Sequence, residues 1–599
     1  MPILQLMSGR EDIAEGVGGV FTGLFPELKH GSYLKKKQSD IPAWDSFAHM
    51  QLVAALEERF GIRIHAEEAV DLDSAQKCIA LVRRKSRKGR EEPLPMPHFG
   101  NFSEALSYRA AHAPSKLFLI DVTAGEKYAY AAFNGAVNRA ARFLKEKGVR
   151  RGDIVSVRIR NSSEFLIIYF ATIRIGGVIN PVPSTISDAE FGTHLEFVRP
   201  RLVCAETVPA RLRKRHRTAL VAFAGKHTLA AMLKKYSDAE VEDPLDPAKP
   251  ACLYYSSGTT SNPKGVLYSH RNMTSLVDSI CRDFGHDSET KHLGFLPMGH
   301  TAITNYSFLP VLYAGGTLVF AENFLKIRSS FWSIVKKYAI TYVETVPTVL
   351  FSILNTKYPR YSKQGMRLAY VGCGSAPLPL SIQKKFQEKF RIPVANLYGL
   401  SETGPSHFDD PREKGWKPGS IGRPLSVNEC RIVGGDLSEL PRGSVGEIAL
   451  KGPNVFIGYY KNTAAYRAAV RKGYFLTGDL GYEDSWGRFY YVDRKKDLII
   501  KGGANIFPGE IDEVLFKHPA VLEASTIGIP DVFFGEEIVA FVTLKKSASE
   551  AELLAHCAKH LQAAKRPKRI LIVPSLPKTA SGKLLRRHLR TLYQEKYEK

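Results

Sequence analysis

Tyr255-Ser-Ser-Gly-Thr-Thr-Ser-Asn-Pro-Lys-Gly265 is the stretch that decides the fold. It continues Ala251–Tyr255, an apolar run of strand length and strand composition. Small residues let backbone N–H groups come close to phosphate oxygens. Ser256, Ser257, Thr259 and Thr260 add hydroxyl donors, Gly258 adds backbone freedom, and Lys264 adds a point charge. The loop therefore reads as a phosphate cradle at the end of a strand. It is not the G-x-x-x-x-G-K-[ST] loop, because Pro263 precedes the lysine when the count starts at Gly258. Gly372-Cys-Gly374-Ser-Ala-Pro377 likewise fails the dinucleotide pattern G-x-G-x-x-G at its last place. Far along the chain, Pro577-Lys-Thr-Ala-Ser-Gly-Lys583 delivers another lysine on a glycine-flexed loop.

Around these segments the pattern alternates. Strands are predicted at Ile154–Ile159, Thr317–Phe320, Tyr342–Val346, Leu368–Val371 and Val394–Leu397, and helices at Phe133–Lys147 and Glu164–Ile175. Such alternation predicts a layered α/β fold with substantial parallel sheet. Residues 419–493 are rich in glycine and short strands, and a smaller α+β unit runs from about Lys496 onward. Ahead of Phe99 the character differs. Residues 1–82 read as a small all-α unit of four helices: Arg10–Leu24, one opening at Asp45-Ser46, a short segment from His65, and Ala75–Val82. In the second of these, Phe47, Met50, Val53, Leu56 and Phe60 recur at steps of three and four and predict one buried face. Residues 83–98 are basic and then proline-rich, the composition of a linker.

The chain has 599 residues and is 44% apolar, enough for several packed domains. No run reaches the roughly 18 apolar residues of a membrane span; the best, Phe165–Ile173, stops at Arg174. Seven scattered cysteines without a C-x-x-C pair argue against a zinc site or a disulfide framework. With the lack of a leader pattern, they point to reduced thiols in the cytoplasm. The net charge is +24, clustered at Lys35–Lys37, Arg83–Arg90 and Arg211–Arg217. No aromatic residues interleave these runs, so they read as solvated faces rather than a nucleic-acid groove.

The phosphate loop resembles the signature of the adenylate-forming superfamily of acyl- and aryl-CoA ligases, peptide-synthetase adenylation domains and luciferases. The likeness extends from about Phe99 to Lys599. Its further motifs occur in the family's order: Phe295-Leu-Pro-Met-Gly-His300, Gly374-Ser-Ala-Pro377, Tyr398-Gly-Leu-Ser-Glu402-Thr, Thr477-Gly-Asp479, Asp493-Arg494-Lys-Lys496-Asp, Gly502-Gly-Ala-Asn-Ile-Phe-Pro508 and Gly582-Lys583. The resemblance implies a large adenylation domain at 99–493 and a small mobile C-terminal domain at 494–599, and an acid activated with ATP through an acyl-AMP. It implies that Lys583 and Lys264 contact the phosphates and that Glu402 binds Mg²⁺. His300 would sit beside the acyl carboxylate. Ser256–Thr260, Gly374, Ser375, Ala376, Pro377, Tyr398, Gly399, Ser401, Asp479 and Arg494 would hold the nucleotide, with Tyr398 stacking on adenine and Asp479 accepting from the ribose. Lys496 would be the hinge, and Gly502 and Gly503 would line a thiol tunnel. Ser261 stands where the family usually has glycine; at a positive φ it would cost about 1 kcal/mol.

Residues 1–82 resemble an acyl carrier protein through Trp44-Asp45-Ser46-Phe47 and Leu52–Ile62. That likeness implies a 4′-phosphopantetheine arm on Ser46, added by a phosphopantetheinyl transferase, and downstream acyl-accepting enzymes as partners. The expected acceptor thiol is then this arm, with free CoA as the alternative, and a non-catalytic nucleotide-binding scaffold is the contrasting reading. Ile303, Tyr306 and Phe308 favour a fatty or other apolar acid as substrate.

Overall fold

The structure, a computed structural model, describes residues 13–28, 34, 36–60, 64, 66–86, 97–207, 219–222, 228–241, 243–256, 264–578 and 584–597. The chain divides into two compact units, Met1–Pro97 and His98–Lys599.

The first unit holds four α-helices: Ile13–Leu24, Ser46–Phe60, Ala66–Val70 and Ala75–Ser86. Phe21 and Phe25 pack on Trp44, with ring centroids 5.2 and 5.5 Å away. Leu52, Leu56, Cys78 and Val82 complete this core. Asp45 caps the second helix, its Oδ1 accepting from the Ala48 N–H at 2.8 Å. Ser46 is the first helical residue and is exposed. The expected apolar face is corrected here. Val53 and Leu56 are buried, but Phe47 and Met50 are 72% and 66% exposed. At about 100° per residue, each step of three drifts back by about 60°, so Phe47 ends opposite Leu56. Leu52 belongs to the buried face instead.

The second unit is built on four sheets. A nine-stranded sheet runs in the order Arg423–Pro424, Gly404–Phe408, Val394–Leu400, Val371–Cys373, Tyr342–Thr345, Lys291–Gly294, Thr317–Phe320, Leu117–Asp121, Lys127–Ala129. Its centre is parallel and its two ends are antiparallel. The strand expected at 368–371 begins at Val371, where pairing with Val343 starts. A seven-stranded sheet runs Gly458–Tyr459, Lys264–Ser269, Pro250–Ser256, Val178–Pro181, Ile154–Arg158, Leu202–Ala205, Ala219–Ala222. Helix Ser163–Arg174 is apolar on every side and accordingly buried throughout. Arg174 itself is buried and satisfied, donating to Asn138 Oδ1 at 2.5 Å and to Ser103 Oγ at 2.9 Å. An antiparallel five-stranded sheet occupies Glu429–Arg494, and a mixed one occupies Ile499–Ile572. All seven cysteines are free thiols. Among the described residues no helix is long and apolar enough to cross a membrane.

Candidate active site

Strands Pro250–Ser256 and Lys264–Ser269, which flank the phosphate-loop sequence, pair antiparallel up to Ser256 opposite Lys264. Ser257, Gly258, Thr259, Thr260 and Ser261 lie outside the described residues, as does the side chain of Ser256. Strand Gly458–Tyr459 pairs with the second arm, Tyr459 standing opposite Val266. This register puts the Lys264 Nζ 4.7 Å from the centroid of the Tyr459 ring. The Tyr459 hydroxyl donates to Glu402 Oε1 at 2.8 Å. Burial, and then the Glu402 carboxylate, push that phenol well above its ordinary value, so it stays a donor. The backbone around Glu402 is pinned as well. The Phe456 N–H donates to the Glu402 carbonyl at 2.9 Å, and the Tyr268 hydroxyl donates to the Ser401 carbonyl at 2.8 Å. Lys264 and Glu402 therefore meet around Tyr459, a residue that sequence reading missed.

Four positions earlier in the chain a second cluster forms. The Tyr398 hydroxyl donates to Asp479 Oδ2 at 2.8 Å, and Arg494 Nε lies 2.8 Å from Asp479 Oδ1. Asp479 and Arg494 face each other across the antiparallel strands Tyr474–Glu483 and Phe489–Arg494. Asp479 is 1% exposed. Burial opposes the charge on Arg494, but Asp479, Tyr491, Tyr398 and Asp497 together more than offset it, and the guanidinium sits above its ordinary value.

The glycines nearby allow close approaches. A Cβ on Gly374 would lie 2.9 Å from the Leu397 carbonyl oxygen, and one on Gly399 would lie 2.2 Å from that of Gly404. Ser375 has φ +66°, an uncommon conformation for a side-chain-bearing residue and one that collects at functional sites. Ala376 is half-buried, and Pro377 is exposed after it. His300 is half-buried in the turn before helix Thr301–Ile303, and its carbonyl accepts from the Thr304 N–H at 3.2 Å.

Lys496 sits in the short 3₁₀ turn Lys495–Asp497, half-buried, its ammonium pulled below the ordinary value by burial. The neighbouring Asp493 is held by Arg586, whose Nη1 is 2.9 Å from Asp493 Oδ1, while Nη2 is 2.8 Å from Asp512 Oδ2. Arg586 opens helix Arg586–Tyr597, just beyond the loop that carries Lys583. Lys583 itself lies outside the described residues. The base of its loop is defined by an antiparallel bridge between Lys578 and Leu584 and by an ion pair between Lys578 and Glu523. Arg586 was also missed in the sequence, where it reads as one more basic residue in a basic tail. Gly502 and Gly503, at φ +55° and +81°, form the two-residue turn between strands Ile499–Lys501 and Ala504–Ile506.

Among the described residues no group of three or more His, Cys, Asp or Glu could cage a metal. One carboxylate, Glu402, beside a lysine in a phosphate-loop setting suits magnesium, which binds through one or two carboxylates and phosphate oxygens. Comparison with known proteins agrees with this geometry. Residues 106–460 match the family model "AMP-binding enzyme", and residues 510–583 match "AMP-binding enzyme C-terminal domain". The chain is 34% identical over 501 residues to a sulfoacetate–CoA ligase of Cupriavidus necator, covering 82% of this chain and 97% of that one. It is 32% identical over 486 residues to an oxalate–CoA ligase of Arabidopsis thaliana, covering 78% and 94%. The solved structure of ATP-bound MatB from Rhodopseudomonas palustris superposes with a TM-score of 0.77 at 28% identity, covering 83% of this chain and 99% of that one. The chain is a member of the AMP-binding enzyme family and carries that family's C-terminal domain.

Proposed function

We propose that this protein is an AMP-forming acid–thiol ligase that joins a carboxylic acid to the thiol of CoA. The observation that carries the reading is the pair of clusters on one stretch of chain, Tyr398 with Asp479 and Arg494, and Glu402 with Tyr459 and Lys264. In the first step a carboxylate oxygen attacks the α-phosphorus of ATP and the bond to pyrophosphate breaks. Both reactants are anionic, so the site must neutralise charge and align them. Lys264 supplies a cation at the phosphate loop. Asp479, oriented by Tyr398 and Arg494, would accept from the ribose hydroxyls. Glu402, oriented by Tyr459, would hold magnesium, which when bound neutralises phosphate charge. Lys583 would reach the α-phosphate from the C-terminal loop. In the second step the thiol sulfur attacks the acyl carbonyl carbon and the bond to AMP breaks. Lys496 would be the pivot between the steps, and the Gly502–Gly503 turn would line the thiol's path.

CoA is favoured as acceptor because the relatives of known name are CoA ligases. One observation supports a second acceptor. Ser46 is exposed at the start of a capped helix in a separate four-helix unit, a position open to modification with 4′-phosphopantetheine. Acid-dependent ATP–pyrophosphate exchange, followed by mass analysis of the thioester, tests the reading. Lys583→Ala should abolish exchange. Absence of exchange with every acid tried sinks the ligase reading. A Ser46→Ala variant that makes acyl-CoA at full rate assigns CoA as acceptor, and acylated protein that disappears in that variant assigns the arm.

A further inference from the structure

Glu344 is 2% exposed, and among the described residues neither of its carboxyl oxygens has a hydrogen-bond partner. Burial alone holds it well above the ordinary carboxylate range, so it is a neutral acid that both donates and accepts. It lies on strand Tyr342–Thr345, opposite Gly372, directly beside the Gly374–Pro377 segment. Among the described residues the hydroxyls of Tyr342 and Tyr306 are also buried without partners, and both phenols lie within electrostatic reach of the Glu344 carboxyl. Tyr306 belongs to Thr304–Phe308, a single π-helical turn following His300. Such turns are rare and collect at functional sites. Asn305 and Ser307 on the same turn are orphaned too. The Asn305 amide lies against Gly404, where an added Cβ would come within 3.2 Å of it, two residues past Glu402.

Buried polar groups in folded proteins find partners, and orphans of this number in one place need an explanation. Tyr306, Asn305 and Ser307 follow His300, which the ligase reading sets beside the acyl carboxylate, and the strand of Glu344 pairs with the one that leads into Gly374–Pro377. The imidazoles beside Tyr342, those of His286 and His292, are both pushed down to about 3 by burial and carry no charge. Building on the ligase reading, we propose that Glu344, with Tyr306, Tyr342 and Asn305, is a specificity determinant for acids whose chain carries an uncharged hydrogen-bonding group, a hydroxyl or a carbonyl. A second carboxylate or a sulfonate gains nothing from these neutral groups, and a plain alkyl chain leaves them unpaired. The preference for an apolar acid read from Ile303, Tyr306 and Phe308 is thereby replaced.

The test is ATP–pyrophosphate exchange with straight-chain acids from butanoate to octanoate, each as the plain, ω-hydroxy, ω-oxo and ω-carboxy form. It uses the full chain and its Glu344→Gln and Glu344→Leu variants. The expected result is a preference of about tenfold or more for the hydroxy or oxo form at the best chain length. Glu344→Gln keeps this order; Glu344→Leu loses it by gaining on plain acids. The leucine variant should also melt at a higher temperature, since it removes a buried carboxyl that no group among the described residues satisfies. If plain or ω-carboxy acids lead in the unaltered enzyme, or if both variants keep its order, the orphans are satisfied by trapped water and the inference falls while the ligase reading stands. Exchange with none of the acids sinks the ligase reading itself.

Discussion

Replacing Arg586 with glutamine removes the one guanidinium that Asp493 and Asp512 share, at 2.9 and 2.8 Å. Both carboxylates are buried, with Asp493 1% exposed. Breaking a buried ion pair by deleting one partner costs about 3–5 kcal/mol, because a charge is left uncompensated. Protonation limits the loss. Burial already holds the Asp512 carboxyl above its ordinary value despite Arg586. Without the arginine it rises further, and the folded variant keeps a proton that the unfolded chain releases near about pH 3.9. A group whose folded pKa is raised loses stability as pH rises, so the deficit of the variant should be larger at about pH 8 than at about pH 5. Hydrogen exchange of helix Arg586–Tyr597 reads this directly. At about 1.4 kcal/mol per factor of ten, protection should fall by about two powers of ten or more. Pyrophosphate exchange should fall with it, because the helix anchors the loop of Lys583. Unchanged protection at high pH, or a deficit that grows as pH falls, would refute the reasoning.

Tyr459→Phe keeps the ring under Lys264 but deletes the donor to Glu402. A hydrogen bond to a charged group is worth about 1.5–3 kcal/mol, so the magnesium requirement in pyrophosphate exchange should rise by about tenfold or more. Gly399→Ala drives a Cβ to 2.2 Å from the Gly404 carbonyl oxygen. It should destabilise by about 1–3 kcal/mol, seen as a lower melting temperature, and weaken ATP binding measured by titration. Gly503 has φ +81° but open space around its missing Cβ. Gly503→Leu should therefore fold at a cost of about 1 kcal/mol and spare pyrophosphate exchange. Thioester formation in single-turnover assays should slow, and equal loss of both half-reactions would dismiss the tunnel role.

What was legible in the sequence is what lies contiguous in it. The phosphate loop, the Tyr398–Glu402 stretch and the Thr477–Asp479 turn each announce their chemistry within a few residues, and a strand before a loop is a local pattern. Tyr459 and Arg586 are different. Their partners Glu402 and Asp493 stand 57 and 93 positions away, and only sheet register and helix docking bring them together. Glu344 between Val343 and Thr345 looks like an outward strand position, and only the folded chain shows it buried. Phe47 and Met50 show the opposite failure. Their spacing is helical, but a row of threes winds around the helix, and it is Val53, Leu56, Phe60 and the unflagged Leu52 that meet the core.

Asp493 and Arg494 are neighbours with opposite attachments. Arg494 pairs with Asp479, and Asp493 pairs with Arg586, which lies beyond the proposed pivot at Lys496. Asp493 precedes Lys496, whereas Arg586, Asp512 and Asp497 all follow it. A rotation about Lys496 can therefore keep the Arg586–Asp512 pair but must part Arg586 from Asp493. That contact favours the arrangement in this structure, which the proposed function takes as the adenylating one, by roughly the worth of one charged hydrogen bond, about 1.5–3 kcal/mol. Asp493→Asn should weaken it and raise the rate of thioester formation relative to pyrophosphate exchange by about tenfold or more. Asp512→Asn takes a carboxylate from the same arginine on the far side of the hinge, so it should lower stability without moving that ratio. Measuring both half-reactions in both variants separates a latch from a brace. An equal effect on the ratio would mean that Arg586 braces the C-terminal unit and does not hold the hinge.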